Sequence, residues 1–279
     1  MKLGIMIAGR RPDDIRIRIE QAREAGFSLC QLNLLQSGFT RSDLVQIADA
    51  LAEFDVRPIA IGCYVNPLRP DKAGPMGATR ADLETLLHGL DLIGARKVVL
   101  WSGSHAEGPF DLDDKNHTED SQNLLRSFLQ EVVRTTKTRH YFLCIEPYQA
   151  HVLRCADTAS RFYDSLNEAV AEKVRFVIDA PALLNEEQYT NRDDSARQII
   201  KKLAPVGGLA HLRDCIMPPD GDHAIPGPGL GSLDYANYVH SLMEHTAHDF
   251  CAVARNVPHT EFANTRDFLL RTSGHWELA

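Results

Sequence analysis

The chain has 279 residues, 44% of them hydrophobic and 24% charged, with a formal net charge of −8. These are the proportions of an ordinary soluble globular protein, and the acidic balance argues against the basic face that a nucleic-acid-binding surface needs. No apolar run approaches membrane-spanning length and the N-terminal apolar stretch is too short for a secretory signal core, so a cytoplasmic protein with no membrane partner is expected.

Short apolar runs alternate with helical patterns along the chain. Residues 3–8 (LGIMIA) read as a first strand, and in residues 13–25 Ile15, Ile19 and Ala22 fall on one helical stripe. Gly26 stands where that helix would end. A second strand is predicted over 28–34 (SLCQLNL), followed by a helix from Ser42 in which Leu44, Ile47, Ala48 and Leu51 recur at intervals of three and four. A third strand spans 58–65, and a helix over 79–93 carries Leu83, Leu86, Leu87 and Leu90 before Gly94. Further strands are expected at 97–103, 141–146, 174–179, 208–214 and 250–255, with helices at 121–133, 157–166, 195–203 and 234–243. The runs are rich in Val, Ile, Leu and Cys and last about 5–8 residues, as parallel strands buried on both faces do.

Eight such units without a break in composition predict an α/β protein: a single (β/α)₈ TIM-barrel domain covering residues 1–279. The first strand is followed by IAGRRPDD, with no G-x-G-x-x-G, which weakens a dinucleotide-binding reading. Two irregular stretches, 66–77 and 215–232, follow strands and are candidate active-site loops. None of the six cysteines forms a C-x-x-C pair, and several sit in apolar runs, as free thiols of a reducing compartment would.

In such a barrel the active site lies at the C-terminal ends of the strands. The polar residues there are Tyr64 and Asn66 after the third strand, His105 and Glu107 after the fourth, Glu146 at the end of the fifth, Asp179 at the end of the sixth, and His211, Arg213 and Asp214 in and after the seventh. Taken singly, a strand-end carboxylate is usually a cap or a solvated turn residue, and a lone strand histidine is usually a hydrogen-bonded core residue. Convergence changes that balance. Glu146, Asp179 and His211 come from three adjacent strands and would meet at one rim, and two carboxylates with an imidazole suit a divalent ion. Without an ion the carboxylates would repel, and one would take up a proton.

The succession IEP, VIDAP, HLRD and then IPGPGLGSLDY resembles the xylose isomerase-like TIM barrel family, which includes sugar phosphate isomerases and epimerases and endonuclease IV-type enzymes. In that family Glu, Asp, His and Glu from the last four strands hold a divalent metal. The resemblance places the first three on Glu146, Asp179 and His211. It also likens the 227–234 loop to one that helps cover substrate, and His151 to a histidine found soon after the first Glu. Two departures stand out: Arg255 falls at the position of the second Glu, and Ala182 stands where many members have His or Asn.

The resemblance implies an isomerase or epimerase of carbohydrate metabolism acting on a sugar, polyol or keto-acid carbonyl by metal-assisted proton abstraction. Glu146 would be ligand and base, with His211 also in the catalytic set, and Asp179 and His211 would be ligands. Arg213 or Arg255 would clamp an anionic group; Asn66 would contact the substrate, and His105 or His151 would bind it and shuttle a proton. The cofactor expected is Mn, Mg, Zn or Co, its hold weakened or abolished by Arg255. Two alternatives stay open: a dehydratase or other lyase on the same scaffold, and a non-catalytic ligand-binding barrel without its full metal site. The expected partner is a small sugar-like molecule rather than nucleic acid, and self-association is left open.

Overall fold

A computed structural model of the protein describes residues 1–73, 77–138, 140–216 and 224–278. Eight parallel strands close into a barrel in the order β1 to β8, with β8 pairing back to β1. They are β1 (Lys2–Gly9), β2 (Leu29–Leu34), β3 (Arg57–Gly62), β4 (Lys97–Trp101), β5 (Phe142–Glu146), β6 (Val174–Ile178), β7 (Gly207–Leu212) and β8 (Cys251–Ala254). The helices are α1 (Pro12–Glu24), α2 (Arg41–Glu53), α3 (Arg80–Ile93), α4 (Glu119–Thr135), α5 (Ala156–Asp164), α6 (Glu168–Ala171), α7 (Glu186–Tyr189), α8 (Arg192–Leu203), α9 (Tyr235–His245) and α10 (Phe262–Thr272). Among the described residues, no helix is long and apolar enough to cross a membrane.

Strand parity decides what the barrel encloses, because successive side chains point to opposite faces. One set, which includes Cys30, Leu32, Val98, Leu100, Leu143, Ile145, Ala210, Leu212, Ala252 and Ala254, packs outward into the helix layer. The other set fills the interior with Leu29, Val99, Trp101, Cys144, Val177, Leu209 and Val253. Continuing the inward set by two residues reaches Gln31 from Leu29, Glu146 from Cys144, Asp179 from Val177, His211 from Leu209 and Arg255 from Val253, and two more residues beyond His211 reach Arg213. The same parity that buries aliphatic residues in the middle of the barrel brings these polar residues together at its C-terminal end.

The predicted apolar stripes are buried, with Ile15, Ile19 and Ala22 in α1, Leu44, Ile47 and Leu51 in α2, and Leu83, Leu86, Leu87 and Leu90 in α3, except that Ala48 of α2 is only partly buried and Ala50 takes its place in the core. Gly94 closes α3 in the left-handed conformation (φ 76°), which a side chain would disfavour. Three predicted strands stop at least two residues short: β3 ends at Gly62, β4 at Trp101 and β7 at Leu212, and beyond β7 the chain bonds to a loop, Asp214 N–H donating to Pro226 O at 2.9 Å. The helix after β8 escaped the sequence pattern because α10 buries only Phe262 and Leu269.

Asp82 ties two of the upper loops together. Its Oδ2 accepts from the backbone N–H of Thr79 (2.7 Å) and from that residue's hydroxyl (2.6 Å), forming the capping box of α3, while Oδ1 accepts from Gly38 N–H at 2.6 Å. Asp82→Ala would remove the cap and leave these partly exposed donors to water, and is expected to cost about 0.5–2 kcal/mol, read as a lower melting temperature by differential scanning fluorimetry.

Candidate functional site

Glu146, Asp179, His211, Arg213 and Arg255 form one buried cluster at the C-terminal mouth of the barrel. The N–H of Arg255 Nη1 donates to Glu146 Oε1 and, at 3.0 Å, to His211 Nδ1. Arg213 meets Asp179 Oδ2 through Nε at 2.8 Å and Nη2 at 2.6 Å, and its Nη2 lies 3.7 Å from Glu146 Oε1. His211 Nδ1 stands 3.4 Å from Asp179 Oδ2 and 3.6 Å from Glu146 Oε1. Glu146 Oε2 and Asp179 Oδ1 have no hydrogen-bond partner and are shielded from solvent.

These contacts settle the histidine tautomer. A guanidinium has only donors, so His211 Nδ1 must accept and Nε2 carries the proton. Nε2–H then donates to Gln31 Oε1 at 3.0 Å, and Gln31 Nε2 donates in turn to Asn33 Oδ1 at 3.0 Å. Gln31 belongs to the same buried network and was passed over in the sequence, although two amides, Gln31 and Asn33, on the inward face of a buried strand were the signal for it.

Burial alone would raise the Glu146 carboxyl, but the neighbouring Arg255 and Arg213 guanidinium groups outweigh it and hold the group well below the ordinary carboxylate range. Asp179 is likewise lowered despite its burial, chiefly by Arg213. Arg255, desolvated but facing two carboxylates, is raised. Two carboxylates and two guanidinium groups thus share the site in ionised form, and the repulsion expected of the carboxylates alone is relieved by arginine.

The spacing of Glu146, Asp179 and His211 suits a shared ion, one ligand atom from each lying within 4.8 Å of the others. The fourth face is closed by Arg255. Its Nη1 bonds to Glu146 and His211 and lies 3.9 Å from Asp179 Oδ2, so it stands among all three ligand atoms. With Arg255 in this pose, the residues do not fit a divalent ion.

Beside the cluster, a cavity of about 270 Å³ is lined by Tyr64, Asn66, Arg69, Trp101, Ser104 and His151, among others. Tyr64 joins the two spaces: it lines the cavity, and the Arg255 guanidinium lies 5.9 Å from its ring centre. Trp101 packs on Tyr64 and on His151, with ring centres 5.0 and 5.1 Å apart, and pairs with Glu146 across β4 and β5. Buried His151 is lowered by desolvation, donates through Nε2 to Pro109 O at 2.7 Å and leaves Nδ1 without a partner. Asn66 lines the cavity while clasping Ser104, donating to its carbonyl at 2.7 Å and accepting its N–H at 3.2 Å.

His105 is not brought to this cluster. Its Nε2 meets Ser121 Oγ of α4 at 2.9 Å, and its backbone N–H bonds to Asn116. Glu107 is exposed at the cavity rim near Arg69 and Lys72. Asp214 folds back into the chain, Oδ1 accepting from Cys215 N–H (2.8 Å) and Leu233 N–H (3.1 Å), and so anchors the loop after β7. Residues 74–76 and 217–223 of the two predicted loops lie outside the described residues. Ala182, buried within a short 3₁₀ turn after Asp179, adds no polar group.

No family model matches the sequence, and no curated protein matches it either. Solved structures do match in fold. The 3-keto-D-glucoside 4-epimerase of E. coli, in its apo form, superposes with a TM-score of 0.72 at 16% identity, covering 98% of this chain and 100% of its own. An L-ribulose 3-epimerase gives 0.70 at 17% identity, over 98% and 94% of the two chains. A xylose isomerase-like TIM barrel protein of Mycobacterium smegmatis, in complex with magnesium, gives 0.69 at 15%, over 96% of each. The chain therefore has the fold of the xylose isomerase-like TIM barrels, as its strand-end motifs implied.

Proposed function

We propose that this protein is a sugar isomerase or epimerase that moves a proton on the carbon next to a carbonyl. The observation that carries the reading is the pair of unpartnered, buried carboxylate oxygens, Glu146 Oε2 and Asp179 Oδ1, beside two guanidinium groups at the mouth of the barrel. The fold it shares with epimerases of keto sugars supports the substrate class.

In this proposal Glu146 Oε2 takes the proton from the α carbon. The electrons of the broken C–H bond move into the carbonyl, whose oxygen becomes negatively charged in an enediolate. Arg255 and Arg213 supply the positive field that the developing charge meets, and in a site closed to water such a fixed field is worth more than in solvent. Returning the proton to the other face of the same carbon epimerises it; returning it to the neighbouring carbon, with a hydroxyl proton moved in step, isomerises the sugar. Asp179 Oδ1 is the second unpartnered carboxylate oxygen, and in this proposal it returns a proton that it has first taken from a substrate hydroxyl or from water. The cavity walled by Tyr64, Trp101 and His151 would hold the part of the substrate that does not react.

The triad spacing supports a divalent ion, whether Mn, Mg, Zn or Co, and the position of Arg255 opposes it; no step above uses one. The test is solvent exchange. The protein is incubated in D₂O with L-ribulose, D-fructose, D-psicose, 3-keto-glucosides and a keto-acid set, and α-proton signals are followed by NMR. Loss of one α-proton signal with appearance of an epimer or isomer is expected. Absence of exchange and of conversion across the panel, with and without added metals, would reject the reading.

A further inference from the structure

We propose that the guanidinium of Arg255 replaces the divalent ion that the Glu146–Asp179–His211 triad would otherwise hold, so that this site carries its cation on the chain.

Position is the first ground. Metal–ligand bonds of about 2.0–2.3 Å put neighbouring ligand atoms roughly 3–3.5 Å apart, and the His211 Nδ1 distances to Asp179 Oδ2 and Glu146 Oε1 are 3.4 and 3.6 Å. The set keeps ligand spacing, yet Nη1 of Arg255 lies among its three atoms and bonds to two of them. The arginine is anchored there: its backbone N–H donates to Leu212 O at 3.1 Å, and its guanidinium lies against the Tyr64 ring. The following Asn256 takes a left-handed turn (φ 58°) and donates its side-chain amide to Ile225 O at 2.7 Å, which fixes where the chain leaves β8.

Charge is the second ground. Glu146 and Asp179 bring two negative charges, Arg213 and Arg255 two positive ones, and the groups are buried together. The sum is already zero. A divalent ion added to this set would leave two uncompensated positive charges in a low-dielectric site, which proteins avoid. Exchanging Arg255 for a carboxylate reverses this: three carboxylates against Arg213 leave two negative charges and a fourth ligand, the condition a divalent ion satisfies.

The inference touches the proposed reaction only through the charge that faces the substrate oxygen, and its test uses no substrate. Wild-type protein, Arg255→Ala and Arg255→Glu are each loaded with Mn²⁺, Mg²⁺, Zn²⁺ or Co²⁺, desalted and analysed for metal, with Co²⁺ binding also followed by its visible absorption. Wild type is expected to retain only substoichiometric metal. Arg255→Glu is expected to retain one equivalent and to bind on the order of 100-fold or more tightly than wild type, since two unit charges change within a few ångströms of the ion. Arg255→Ala should fall between them. Circular dichroism checks folding, and either variant supplies the contrast if the other fails to fold. One equivalent in wild type that is lost in His211→Ala would overturn the inference. So would folded variants that stay as metal-free as wild type, because the triad would then not be an ion site that Arg255 fills. Both results leave the sugar-carbonyl reading standing or falling on its own exchange experiment.

Discussion

Glu146→Gln is expected to lower turnover in the solvent-exchange assay by about 10²–10⁴-fold while the barrel stays folded. Glutamine keeps the length of the side chain, and its amide oxygen can still accept from Arg255 Nη1, so the bond that now runs to Oε1 has a successor. What is lost is the second, unpartnered oxygen as a proton acceptor. The Glu146 carboxylate is held ionised by the neighbouring guanidinium groups, so it is able to accept a proton throughout the neutral range. The same groups weaken it as a base, and the gain must come from their stabilising the enediolate more than the ground state. Asp179→Asn is the companion measurement. If Glu146 abstracts and Asp179 returns the proton, Glu146→Gln should block exchange, whereas Asp179→Asn should slow conversion more than exchange. Undiminished turnover in Glu146→Gln would remove Glu146 from the role of base.

Much of this site was visible in the sequence because barrel geometry turns strand ends into addresses. An apolar run followed by a charged residue, such as FLCIE or VRFVID, says little alone, but adjacent strands of a closed sheet that end this way point to one rim, and Glu146, Asp179 and His211 do meet in space. Arg255 was marked by its place in the order of motifs, but an order of motifs cannot say which way a side chain turns. Strand parity could: Val253 faces the barrel interior, and the inward set continues two residues on to Arg255. Gln31 was legible by the same rule and was missed because an amide in a buried strand carries no charge to draw notice. His105 went the other way. Its place after β4 suggested the mouth of the barrel, but Ser121 at the start of α4 is within hydrogen-bond reach, and a local partner of that kind cannot be read from spacing. The cavity was also out of reach, since Tyr64, Trp101 and His151 assemble its walls from three different loops and strands.

Arg255→Met should be the most destabilising single change in the cluster, at about 3–5 kcal/mol, because it removes one partner of a buried ion pair and leaves the other charged. Arg213 lies 3.7 Å from Glu146 Oε1 but already serves Asp179, so it can relieve only part of the loss. For a chain of this size the change corresponds to a melting temperature lower by roughly 5–15 °C. The pH dependence carries its own sign. Glu146 and Asp179 have folded values below their ordinary 4.5 and 3.8. The stability they contribute is therefore complete above that range and is lost as pH falls through the lowered values. Without Arg255 the Glu146 carboxyl loses its strongest attraction, and burial then favours its protonated form. The gap between wild type and Arg255→Met should thus be widest near neutral pH and should narrow in acid. Adding Glu146→Gln to Arg255→Met removes the stranded charge, so the double variant should melt above Arg255→Met alone, and with Glu146→Gln alone closing the cycle the coupling between the two residues is obtained. If the double variant melts no higher, Glu146 is not left uncompensated when Arg255 is removed, and the charge balance assigned to this site is wrong.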